Sequence, residues 1–126
     1  MTKLQALYTF FSSFGIPAYE ENSIYNPQVR PEYPYLTYQA ATSAFQNGET
    51  PLSVSLWYRS TSLQEVESKA DEIASRLANG GYLQQAADGL IWLKMGHPFV
   101  QYMDDPSDDF IRRAYINIIA EYLTST

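Results

Sequence analysis

The residues best suited to chemistry lie together in GHPFVQYMDDPSDDFIRR, residues 96–113. This stretch contains His97, which is the only histidine of the chain. Four of the chain's aspartates follow it: Asp104, Asp105, Asp108 and Asp109. Histidine and carboxylates can together bind zinc or manganese, and a histidine can also act as a general base. One hypothesis is therefore a metal-dependent enzyme built on these side chains.

The spacing of the acidic residues favours a different interpretation. DDPSDD departs from a calcium-binding loop, because Pro106 occupies an interior position and the required glycine and final glutamate are missing. The chain has no cysteine, no phosphate-binding glycine loop and no serine in a nucleophile elbow. We therefore expect Pro106 and Ser107 to form a turn that the aspartates solvate. His97 would lie at a strand end, and the protein would have no catalytic activity, metal or cofactor.

Composition predicts one globular domain that spans residues 1–126. Hydrophobic residues make up 45% and charged residues 17% of the chain, which is typical of a folded protein. The formal net charge of −6 makes nonspecific nucleic-acid binding unfavourable, because phosphates require clustered lysines and arginines. We expect no signal peptide, because the segment MTKLQALYTFFSSFG is too polar, and no transmembrane helix, because the sequence has no apolar run of sufficient length. We expect a protein of the cytosol or of a particle assembled there.

Periodicity predicts a first helix and a first hairpin in the N-terminal half. Apolar residues Leu4, Leu7, Phe11 and Phe14 recur at helical spacing, and Thr2 with Gln5 matches a capping box. Gly15 ends this helix, and residues 18–33 have no periodicity, so we expect a long loop there. Residues 34–40 and 52–58 alternate like strands on either side of an Asn47-Gly48 turn, which indicates a β-hairpin.

A second helix and a second hairpin are predicted next. Residues 62–78 begin with a capping box of Ser62 and Glu65. They carry an apolar stripe of Leu63, Val66, Ala70, Ile73 and Leu77. YLQQAA and LIWLKM flank Asp88-Gly89, a tight-turn signal, and the strand pattern breaks at GHPF.

The final segment, residues 110–123, fits a helix or a strand about equally well. As a helix, Ile111, Tyr115, Ile118, Ile119 and Tyr122 would share a face. As a strand, Ala114, Ile116, Ile118, Ala120 and Tyr122 would face one way. Hairpins that alternate with lone helices predict an α+β fold. Its antiparallel sheet would contain two hairpins plus a C-terminal strand, with two helices packed on one face.

Several polar and aromatic residues are candidates for a subunit or partner interface. Trp57 and Arg59 belong to the residue types that dominate binding energy at interfaces. For Trp57, however, packing under a helix is the favoured interpretation. Trp92 is predicted to lie in the core. Tyr25 and Tyr33 lie in a tyrosine-rich loop that either packs on itself or contacts a neighbouring subunit. Arg112 and Arg113 adjoin the acidic run, so they could pair with aspartates of another subunit.

Several stretches together resemble a family of small tail-assembly proteins, encoded by siphophages and prophages of Gram-positive bacteria. These stretches are LYTFFSSFGIPAYEE, PYLTYQ, LSVSLWYRSTS with its following helix, LKMGHPFVQYMDD and FIRRAYINIIAEYL. The resemblance extends over nearly the whole chain, in the same order. Proteins of this family look like tail terminators or minor structural proteins of the head–tail junction.

The resemblance implies a homo-oligomeric ring, commonly of six subunits, that caps the tail tube and meets the head–tail connector. It favours the strand interpretation of residues 110–123 and implies no catalytic residues. The protein would be a virion component assembled in the bacterial host cytoplasm. DNA would pass through the ring without specific binding, and the protein would have no membrane partner. The alternative function is a small soluble binding module that uses the tyrosine-rich loop at residues 19–35.

Overall fold

The computed structural model describes residues 1–23 and 31–125 and has the predicted α+β class. The helices are α1 (Lys3–Phe11), a short 3-10 turn (Ser12–Phe14) and α2 (Gln64–Leu77). The strands are β1 (Ala18–Glu20), β2 (Tyr35–Tyr38), β3 (Glu49–Arg59), β4 (Tyr82–Ala86), β5 (Gly89–Asp105) and β6 (Asp108–Thr124). None of the helices in the described residues is long and apolar enough to cross a membrane.

The six strands form one sheet in the order β1-β2-β3-β6-β5-β4. The β1 and β2 strands are parallel, whereas the other neighbours are antiparallel, so the prediction of a purely antiparallel sheet is wrong. The β1 strand lies inside the segment predicted to be loop. It has only three residues, which are too few to reveal an alternating pattern.

The strand layout also differs from two separate hairpins. The β2 and β3 strands pair, and β4 and β5 pair, but β6 lies between β3 and β5 and joins the two pairs. The β5 strand does not end at GHPF, because it continues to Asp105 through a register shift between Met95 and Val100. Its hairpin with β6 therefore contains two strands of 17 residues each.

The final segment is a strand, which resolves the ambiguity of its pattern. The residues Ala114, Ile116, Ile118, Ala120 and Tyr122 are all 0% exposed and belong to the core. The β6 strand pairs with β3 on one side and β5 on the other, so its backbone groups find partners on both sides. A helix at this position would leave both neighbouring strands without those bonds.

Both helices contribute to the core on the same side of the sheet. In α1, Thr2 and Gln5 form the predicted capping box, but Leu4 is 56% exposed and does not belong to the buried face. The helix instead buries Ala6, Leu7, Phe10 and Phe11.

The α2 helix buries four residues of the predicted stripe: Val66, Ala70, Ile73 and Leu77. Leu63 is 43% exposed, because the helix begins only at Gln64. The predicted capping box at Ser62 is wrong. The Ser62 hydroxyl accepts from the Gln64 backbone N–H at 2.9 Å, only two residues along the chain. It therefore closes a local turn before the helix.

Candidate interaction surface

The sheet has one face that the helices do not cover. Consecutive residues of a strand point to opposite faces. In β3, Leu52, Val54 and Leu56 point into the core. The side chains between and after them, Ser53, Ser55 and Trp57, therefore point to the other side of the sheet. The same alternation in β6 directs Arg113, Tyr115, Asn117 and Ile119 to this side. We call this side of the sheet the open face.

Aromatic side chains form a connected cluster at one end of the open face. The rings of Trp57 and Tyr35 are stacked, with centroids 6.1 Å apart and planes 16° apart, in agreement with their direct cross-strand pairing. Tyr33 and Tyr19 contact Tyr35 at 5.4 and 6.1 Å between ring centroids. Trp57 also donates from Nε1 to the Thr37 hydroxyl at 2.9 Å. Trp57 therefore packs on the open face, not under a helix, and remains half-buried.

Arg113 extends this cluster with a guanidinium group held in place on several sides. It lies 4.6 Å from the centroid of the Trp57 ring and 5.6 Å from that of Tyr115. Its Nε and Nη2 atoms donate to the Ser55 hydroxyl at 3.2 and 3.0 Å. Within residues 1–23 and 31–125, no carboxylate forms an ion pair with Arg113. The guanidinium is thus positioned but not neutralised.

The predicted acidic turn lies at the end of the long β5–β6 hairpin, and we call residues 104–109 the acidic tip. Ser107 donates from its N–H and its hydroxyl to Asp105 Oδ1, at 2.8 and 2.6 Å. Arg59 donates from Nε to Asp108 Oδ2 at 3.1 Å. The pKa of Asp108 is lowered, mainly by the hydrogen bond from the Phe110 N–H and also by the hydrogen bond and charge of Arg59. Asp105 and Asp108 are therefore held within their own chain.

Arg112 and Arg113 are consecutive residues of β6, so their side chains point to opposite faces of the sheet. Arg112 lies 3.7 Å from Asp104 and donates to the Asp109 carbonyl at 2.9 Å, so its partners are local. Asp104 is nevertheless 91% exposed. The Asp109 side chain is also exposed, and none of the described hydrogen bonds or ion pairs involves its carboxylate. The two arginines, on opposite faces of the sheet, therefore do not form one basic cluster.

His97 does not join the aspartates in a site. It is exposed inside β5, near the register shift, and not at a strand end as predicted. Across the described parts of the chain, no group of three or more His, Cys, Asp or Glu residues could hold a metal ion.

Trp92 was predicted to lie in the core, and this prediction is wrong. It is half-buried on the open face, where its Nε1 donates to the Gly80 carbonyl at 2.6 Å. Lys94 lies 4.3 Å from the centroid of its ring and pairs with Glu49 at 2.5 Å. The alternation of buried Ile91 and Leu93 places Trp92 on the other face, and this signal was readable in LIWLKM.

A groove of about 910 Å³ lies between α1 and β1, and Tyr19 borders both this groove and the aromatic cluster. Its apolar wall includes Leu4, Tyr8, Tyr19 and Tyr38, and Glu20 contributes a carboxylate. Burial, with smaller contributions from Glu20 and Tyr8, raises the pKa of Tyr38 to about 12, so this phenol stays neutral. Tyr25, the other tyrosine predicted at an interface, lies outside the described residues.

Sequence reasoning found part of the surface. Trp57, Arg113 and Tyr33 were predicted as interface residues, and the fold brings them into one cluster. Tyr35, Tyr115 and Ser55 were missed, although their alternation with buried neighbours was visible. What the sequence lacked was the register that places them side by side. Comparisons with protein-family models, curated proteins and solved structures find no match for the chain.

Proposed function

We propose that this chain is a non-enzymatic structural protein of a phage or prophage virion. It assembles as a ring at the end of the tail tube and docks to the head–tail connector, as the resemblance of its sequence to tail-assembly proteins implies. The observation that supports assembly best is the open face, where half-buried aromatic rings surround an arginine that has no carboxylate partner in the described chain.

The composition of this surface suits contact with protein. Tyr, Trp and Arg are enriched at interfaces, because they combine large contact area with hydrogen-bonding groups. The Trp57 and Arg113 side chains are already held by Thr37 and Ser55, so little conformational entropy would be lost on binding. The net charge of −6 supports a role in which DNA slides past the ring without binding to it.

Sedimentation of the purified protein, alone and with polymerising tail tube protein, tests this function. We expect concentration-dependent assembly into one closed species, and tubes whose growth stops when the protein is added. A monomer at high concentration that leaves tube growth unchanged would contradict the proposal. An unrelated acidic domain of similar size is the control for nonspecific effects of charge on polymerisation.

The groove beside α1 favours a second candidate function, a monomeric module that binds an apolar peptide or small ligand. Leu4 and Tyr8 of α1 are 56 and 52% exposed along its wall, and Met1, just before the helix, is 52% exposed, so the wall presents a contiguous apolar patch. An anilinonaphthalene dye should bind there and lose affinity in Leu4→Glu. Leu83→Glu, at an exposed position on β4, is the matched control. Equal dye binding by both variants would show that the groove is not the binding site.

A further inference from the structure

We propose that Arg113 of one copy binds the carboxylate of Asp109 on the acidic tip of a second copy. This inference rests on the proposed function, because it presupposes self-assembly, and it identifies which residues form the contact. The occupant of the open face is thus another molecule of the same chain, which presents a carboxylate to the guanidinium between Trp57 and Tyr115.

The open face provides a preorganised receptor for a carboxylate. A guanidinium has five N–H donors, and Ser55 takes only two of those of Arg113. The rest can form the paired hydrogen bonds with which arginine binds carboxylates. Tyr115 is itself fixed by its hydroxyl bond to Ser53 at 2.9 Å, so the ring beside the guanidinium is held in position.

The acidic tip provides the matching anion. Asp108 is paired with Arg59, and Asp104 lies near Arg112, whereas Asp109 is exposed and its carboxylate has no described partner. Pairing of β6 with β3 ends at Ile111, so Asp109 lies beyond the part of β6 that β3 covers. These positions leave Asp109 accessible to another molecule.

Within the described chain, Arg113 and Asp109 are not paired with each other. Asp109 and Arg113 are four residues apart on one extended strand, a separation of about 13 Å. Arg113 is held at Ser55 and Trp57 instead, so both side chains carry charges that a partner would neutralise. Because the two surfaces differ, each copy would use its tip on one neighbour and its open face on another. Such a head-to-tail contact closes into a ring when the rotation between copies permits.

Charge also argues for this pairing. Copies with a net charge of −6 repel each other, so association requires cations placed at the contact. On the open face, Lys94 already pairs with Glu49 and Glu121, whereas Arg113 has no described carboxylate partner. Arg113 is therefore the cation best placed to offset the repulsion.

Charge reversal with sedimentation analysis tests the inference. We expect R113E and D109R each to weaken association by about tenfold or more, because each places like charges at every contact. An equal mixture of R113E and D109R should assemble again, since the wild-type and reversed pairs alternate around the ring. The double variant R113E/D109R should assemble for the same reason. Assembly of R113E at wild-type strength, or a mixture that stays dissociated, would overturn the inference.

Arg76→Glu is the matched control, since it makes the same charge reversal on α2, away from the open face and the acidic tip, and should leave association within about twofold. Arg113→Gln, which removes the charge without reversing it, replaces R113E if that variant unfolds, and it too should dissociate. Different results would contradict self-assembly and the Arg113–Asp109 contact. A wild-type protein that stays monomeric at high concentration overturns both, whereas assembly that ignores Arg113 and Asp109 overturns only their contact.

Discussion

Tyr122 is the largest side chain among the fully buried residues that the structure describes, and it carries an ionisable hydroxyl into the core. Its hydroxyl donates to the Ala41 carbonyl, and burial raises its pKa to about 12. An unfolded tyrosine has a pKa near 10, so the neutral form is favoured more strongly in the folded state. Its contribution to stability is complete below about pH 10 and is lost as the pH rises towards 12.

Tyr122→Phe should therefore lower the stability at neutral pH but reduce the further loss of stability at high pH. At neutral pH the variant loses a buried hydrogen bond and leaves a carbonyl unpaired, at a cost of about 1 kcal/mol. Between pH 10 and 12 its stability should fall less steeply than that of the wild type, because the ionisable group is gone. Urea unfolding across this range measures both effects. Parallel pH curves would contradict the assignment of the pKa to this residue.

The register shift in β5 is the feature that decides the geometry of the long hairpin. Gly96 lies within it, and a Cβ atom there would approach the Asn117 carbonyl oxygen and Cβ to 2.8 Å. Only a residue without a side chain lets β5 approach β6 this closely. The shift then restores the pairing of Val100 with Ile116 and carries the strand on to the acidic tip.

Gly96→Ala should force β5 and β6 apart next to the core. We expect a loss of about 1–3 kcal/mol, typical of a contact that requires backbone movement. Gln101→Ala is the control on the same strand, because Gln101 is exposed and should change stability little. Thermal unfolding of the two variants at one protein concentration measures the difference. A Gly96→Ala protein as stable as the control would show that the strands adjust without cost.

At the scale of the whole molecule, assembly and stability should be coupled. A ring that forms only from folded subunits stabilises them by mass action, so the Tm should rise with protein concentration. The Arg113→Glu variant should lose this dependence, whereas Arg76→Glu on α2 should retain it. Differential scanning fluorimetry over a wide concentration range measures the trend. A wild-type Tm that is independent of concentration would count against self-assembly.

Local signals in the sequence were sufficient for several elements of the fold. The Thr2–Gln5 capping box, the stripe of α2 and the alternation of β3 depend on residues that are close in the chain, and the structure has all three. The same logic failed at Ser62 and Leu63. There the chain turns before the helix begins, which propensity alone does not reveal.

The sequence by itself determined the α+β class, the positions of both helices and the turn within DDPSDD, because these follow from periodicity and turn chemistry. Only the tertiary structure decided that residues 110–123 form a strand, since both patterns fit and pairing with β3 and β5 selected one. It also decided that Arg112 and Arg113 lie on opposite faces with different partners. Cross-strand register joins residues far apart in the chain, and no local pattern encodes it.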